Sequence, residues 1–470
     1  MPAPSSLTTP GSPYLTASSR AFSPPASAPV SPLRLPTSGL AAQGRLPLAF
    51  MGLGLAWLVV ATGMVALQPD VLALPHSARE VVALTHAWVL GFFVTVATGA
   101  MYQLAPVALG TTLWSERTGW WHFGLHSAGV PAMVNALARW DLILLGAGGT
   151  LVGTGIVIFA ANTWRTIQRS GKRDAVAWSL ALAAGWLALT ALAGLTLVAN
   201  HLWGFWPADP LSLLRAHAHL GLAGFFVTLL QGVTFRLVPM FTLGDVPDWR
   251  PVRIGLWFSQ IGLLGLVPTL AWHAGQAAAA FGTLLLAGMI ASGWALIQTL
   301  ATRKKRLLDP GVRAFLRGAA GLPAAATLGL LLVWPATPWG SGPGGFSAMV
   351  YALVLFGFGL LPAIAGMMCK IVPFLTWMRA YGPKIGRGPT PSAAAMTQPR
   401  VETWAFAVQG AAFGPLIAGA WWLNVPLLRA GAWLLAVGVG LFLTGMIGVL
   451  NHLWRPATGT PAAAAKNFPP

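Results

Sequence analysis

Residues 86–106 read HAWVLGFFVTVATGAMYQLAP, and residues 219–239 read HLGLAGFFVTLLQGVTFRLVP. His86 and His219, the GFFVT strings at 91–95 and 224–228, and Pro106 and Pro239 all match at one offset of 133 residues. A third, degenerate copy follows at an offset of 134, where residues 366–373 match 232–239 and Leu353 stands in place of the histidine. Self-similarity at a fixed period marks a repeat architecture. Both histidine-bearing copies are long and apolar. Each suits a helix crossing roughly 30 Å of hydrocarbon.

Working outward, apolar segments of about 20 residues recur from residue 46 to residue 451, and twelve spans are expected. The three copies then fall on the second, sixth and tenth, so the unit is four helices. The expected fold is an all-α polytopic membrane bundle of three pseudo-symmetric four-helix repeats, roughly 46–163, 176–300 and 313–451, within a membrane domain of 46–455. The third span, 119–138, is the weakest, because it carries His122, His126, Pro131 and Asn135. Residues 1–45, rich in Pro, Ser and Ala, and 456–470 read as disordered tails. Neither contains the apolar core of a signal peptide.

Composition agrees. Of 470 residues, 56% are hydrophobic and only 8% charged, too few charges to cover a soluble protein of this size. One cysteine, Cys369, excludes a disulfide framework and any cysteine-based zinc or iron–sulfur site. The net charge of +18 raises a nucleic-acid reading, which the placement of charge removes. With twelve spans and cytoplasmic termini, the outer side keeps only Arg79, Arg139, Arg215 and Arg429 among the basic residues. The rest lie inside, as topology demands. The expected location is a bacterial plasma membrane, with the lipid bilayer as partner and no nucleic acid.

An ionisable side chain inside a span is expensive to bury and marks function by default. A lone histidine at a helix start is equally an interfacial residue. Two equivalent histidines on pseudo-symmetric helices, His86 and His219, can instead face one another across a shared space, as in bis-histidine haem ligation. In Arg215-Ala-His217-Ala-His219, residues two apart on a helix differ by about 200° in direction, so His217 and His219 serve different sites. Arg215 reads equally as a partner for a haem propionate and as a lipid-headgroup contact.

This H-x-H pair is followed by L-G-x-x-G, a glycine thirteen residues after the second histidine, and L-V-P. In these features it resembles the tenth helix of heme-copper oxidase subunit I, nearest the cbb-type enzymes. The resemblance implies that His86 and His219 hold one haem b and that His217 binds the iron of a second. It also implies electron transfer, with oxygen or nitric oxide as small-gas ligand or substrate, cytochrome c or a quinol as donor, and other oxidase-like subunits as partners. Overall it extends over residues 46–452; the motif itself is confined to the second and sixth helices. The family's copper site requires a His-His pair and a histidine placed against a tyrosine. This chain has no His-His pair and tyrosines only at 14, 102, 351 and 381, so copper of that type is not expected, and the oxidoreductase assignment stays open.

A second reading is a non-enzymatic protein that senses or traffics haem or copper, with Met101, Met240, Met367 and Met368 adding soft donors. A third is a transporter that has lost its cofactor, though the charged residues that transporters typically place at mid-membrane are missing here. His122 and His126 share a helix face at i, i+4, a spacing that suits a metal. His201, beside Trp203 and Trp206, reads first as interfacial and second as an alternative axial or supporting residue, while His76, His273 and His452 read as interfacial.

Overall fold

The computed structural model describes residues 44–334, 346–385 and 388–456, all within one contact unit. The expected tails at 1–45 and 456–470 lie outside the described residues, except that Arg45 already begins the first helix and Pro456 follows the last. No strand occurs among the described residues.

Twelve long helices follow one another: α1 (Arg45–Leu67), α2 (Arg79–Leu109), α3 (Glu116–Arg139), α4 (Leu142–Ser170), α5 (Ala175–Trp203), α6 (Pro210–Thr242), α7 (Trp249–Ala271), α8 (Gly275–Ala301), α9 (Pro310–Val333), α10 (Ala348–Ala380), α11 (Pro399–Trp422) and α12 (Val425–Leu450). All but α3 and α11 are long and apolar enough to cross a membrane. The chain is an all-α membrane bundle. The weakly apolar α3 nevertheless forms an unbroken 24-residue helix, and Pro131 does not interrupt it.

Few acidic residues are present, and the helix starts take most of them. Asp141, Asp174, Asp209, Asp248 and Asp309 precede α4, α5, α6, α7 and α9, and the first four accept a hydrogen bond from a backbone N–H of the first turn. Each places a carboxylate where a helix has unpaired N–H groups and positive dipole character. Asp309 instead pairs with Lys305, at 3.0 Å, and with Lys370 of α10. Burial opposes its ionisation, but the two lysines outweigh that and hold its carboxyl below the usual range.

The contacts repeat with the sequence. In each group of four, the first helix packs on the second, and the third and fourth form a tight antiparallel hairpin: α3–α4, α7–α8 and α11–α12. Each hairpin turns through a left-handed non-glycine residue, Trp140, His273 or Leu423. The groups join through α4–α5 and α8–α9, and α12 packs back on α1. α2, α6 and α10 meet in the middle, where Phe93 lies 6.1 Å from Phe226 and 5.3 Å from Phe356 between ring centroids.

Close packing explains the repeated glycines. A Cβ at Gly91 would lie 2.5 Å from the Trp57 ring, one at Gly224 2.9 Å from Trp186, and one at Gly366, the third-repeat counterpart of Gly232, 2.7 Å from Phe315 N. Each of these partners is on the first helix of the same repeat, which settles what the glycines approach: a neighbouring helix.

α2, α6 and α10 share one irregularity. Each opens into a π-helical stretch, at Ala87–Val94, Leu220–Val227 and Leu355–Leu360. The first two begin on the residue after His86 and after His219. Such π segments are rare and concentrate at functional sites.

Candidate functional site

His86 and His219 sit at matching places, the last α-helical residue before the π stretch of α2 and of α6. Their rings are held alike. Nδ1 of His86 donates to Val82 O and Nδ1 of His219 donates to Arg215 O, both at 2.8 Å. A carbonyl can only accept, so the proton is on Nδ1 and the lone pair on Nε2. That is how a metal-binding imidazole is usually fixed.

The structure distributes the rings differently from the expected His86–His219 pair. His86 lies against His217, with centroids 6.3 Å apart and planes within 15°. His219 lies against Tyr351 of α10, also at 6.3 Å and within 10°. Helix geometry is the cause: two residues on, the side chain points about 200° away, so His217 turns to α2 and His219 to α10. Tyr351 stands 134 residues after His217, the offset that relates the second and third repeats. A histidine of one repeat thus faces the ring two residues upstream of the marked position in the next repeat, and this happens twice with the same spacing. At the marked position of the third repeat stands Leu353, and two residues upstream of His86 stands Leu84.

A cavity of about 500 Å³ contains His86, His217, His219 and Tyr351 in its walls, with Arg215, His76 and His273 also lining it. Its volume is that of a small-molecule or cofactor site. A second cavity of about 350 Å³ shares His86 and His217 and adds His201. The remaining walls are mainly aliphatic, including Val89, Leu90, Leu187, Leu195 and Leu222. His76, in the loop between α1 and α2, has both ring nitrogens buried without a hydrogen-bond partner. Burial, and then the positive charge of Arg215, lower its pKa. His273 is anchored beside the start of α6, at 2.5 Å from Ser212 Oγ and 3.2 Å from Asp209 Oδ2.

These residues suit a planar group carrying a central metal. An imidazole nitrogen lies about 2 Å from a bound transition metal and the ring centroid roughly 1 Å beyond, so opposed imidazoles on one ion have centroids about 6 Å apart. His86 and His217 are at 6.3 Å. Nδ1 of His217 is buried and has no hydrogen-bond partner. Gly194 leaves space beside that ring, where a Cβ would come within 3.1 Å of Cε1.

The other histidines separate clearly. His201 donates from Nδ1 to Leu197 O and packs on Trp140. His452 bonds the Tyr381 hydroxyl at 2.8 Å. His122 and His126 are fully buried inside the first repeat. Trp88 is buried against Phe92 and Phe93, a packing role. Sequence reasoning missed Tyr351 and His76. The signal for Tyr351 was present: the same repeat offset, applied to His217 instead of His219.

No protein-family model matches the chain, and no curated protein matches it in sequence.

Proposed function

We propose that this multi-pass protein binds haem b and works in electron transfer in a bacterial plasma membrane, with both termini cytoplasmic. One observation carries the reading: two ring pairs, His86–His217 and His219–Tyr351, stand at one spacing in one cavity and are related by the internal repeat. The orientation rests on the basic residues, which the twelve-span topology collects on one side.

In this reading His86 and His217 would hold one haem, and His219, whose ring faces Tyr351, would hold a second. Bound haem supplies a reversible one-electron couple. The chain's part is to set what surrounds it. Val82 O and Arg215 O keep the Nε2 lone pairs of His86 and His219 aimed and unprotonated. The aliphatic wall excludes water, and Arg215 forms a cationic edge suited to carboxylates, with the neutral His76 ring beside it. The Tyr351 side offers a hydroxyl in place of a second imidazole. That suits the binding of a small gas such as oxygen or nitric oxide, and the resemblance to heme-copper oxidase subunit I points the same way. Cytochrome c or a quinol is the proposed electron donor.

The test is the visible spectrum of the detergent-purified protein from haem-replete cells, oxidised and dithionite-reduced. A reduced b-type α band is expected. A colourless protein would sink the reading.

A further inference from the structure

A second polar cluster lies between α2 and α3 and shares with the cavity wall only Leu90. His122 and His126 are both 0% exposed, and their ring centroids are 5.6 Å apart. Each ring has one nitrogen engaged and one buried without a partner. Nδ1 of His122 meets the Tyr102 hydroxyl at 3.0 Å, while Nε2 has no partner. Nε2 of His126 meets Thr95 Oγ1 at 2.8 Å and Leu90 O at 3.2 Å, while Nδ1 has none.

The engaged nitrogen of His126 fixes the other. Leu90 O can only accept, so Nε2 of His126 carries the proton and Nδ1 the lone pair. Thr95 Oγ1 donates its own proton to Leu90 O, at 2.8 Å, and so accepts from His126. The Tyr102 hydroxyl both donates and accepts; the tautomer in which it accepts from Nδ1 of His122 puts that ring's lone pair on Nε2. A helix pair at i, i+4 with outer nitrogens tied to a carbonyl and hydroxyls has the supporting shell of a metal-binding pair.

From this geometry we infer that His122 Nε2 and His126 Nδ1 bind one copper(I) ion. The choice of ion follows from its surroundings. Imidazole suits copper and zinc better than alkali ions, which prefer oxygen. The ring neighbours of His122 beyond Tyr102 and His126 are Phe50 and Phe159, at 5.0 and 5.4 Å. The ligands are neutral, and the cost of burying charge rises with its square, which selects a monovalent ion over a divalent one. The ligands differ from those of the proposed haem site, so the two assignments stand or fall separately.

The experiment uses full-length protein in detergent, loaded anaerobically with copper(I), washed with a weak chelator, and analysed for copper and haem in the same samples. One tightly held copper per chain is expected, with a nitrogen-only shell by X-ray absorption. His122→Leu and His126→Leu should each lose that copper, and Tyr102→Phe should keep it with affinity about 10–100-fold weaker. Equal copper in the double histidine variant and the wild type would overturn the assignment, as would a wild-type protein that retains none, leaving water as the occupant. Should the leucine variants fail to fold, the wild-type spectrum still decides: a shell containing sulfur refutes the site.

Discussion

Tyr351 faces His219 as His217 faces His86, with ring centroids 6.3 Å apart in both pairs. The equality joins residues of different chemistry. The bundle sets the geometry of a ring pair, while the residue type at one position decides whether it supplies two nitrogens or a nitrogen and a phenol.

The first expectation separates the two ways of pairing the histidines. If His86 and His217 share one haem, His86→Ala and His217→Ala should each abolish its six-coordinate spectrum, and His219→Ala should leave it in place. Redox difference spectra of the three variants, normalised to protein, check this. Loss of the same signal in His86→Ala and His219→Ala, with His217→Ala unaffected, would restore the pairing implied by the oxidase resemblance.

Tyr351→His should turn the second pair into a copy of the first. Carbon monoxide binding to the reduced protein, expected in the wild type, should fall to background in this variant while total haem is kept. Tyr351→Phe should retain carbon monoxide binding. A wild type that carries haem and ignores carbon monoxide would remove the open position assigned to His219.

Gly91→Ala should destabilise the bundle by about 1–3 kcal/mol, because its Cβ would overlap the buried Trp57 ring. Gly52→Ala on α1 is the control, since a Cβ there meets nothing within 4 Å, and helix propensity alone should make it neutral or slightly stabilising. Thermal unfolding in detergent compares the two. Equal effects would mean that α1 does not pack into the glycine notch of α2.

His76 gives a pH dependence of known sign. Its folded pKa is depressed below 6.5, first by burial and then by Arg215, so the fold favours the neutral ring. That contribution is intact above pH 6.5 and is lost as pH falls through the folded value. His76→Gln should therefore lessen the drop in unfolding temperature between pH 7 and pH 5. An unchanged slope would show that the ring is solvated at both pH values.

The repeat was legible because glycines and histidines mark it at constant offsets, and those glycines proved to be where the first helix of each repeat comes close. The pairing was not. It depends on which way α6 is turned, and nothing in Arg215–His219 alone says which neighbour each ring meets. Tyr351 is hidden in the sequence because the third copy carries Leu353 where the others carry a histidine. The character of α3 was also only partly legible: its composition makes it the weakest span, while the burial of His122 and His126 comes from Phe50, Tyr102 and Phe159 on other helices. That information is tertiary.

The widened turns after His86 and His219 make chain length a control on chemistry. Each extra residue changes the phase of the helix by about 100°, so deleting one residue inside Ala87–Val94 would swing His86 away from His217 without altering any ligand. The three copies are therefore bound to a common phase. A substitution can change what a ring pair does, but an insertion or deletion in a single copy would change which partner it has.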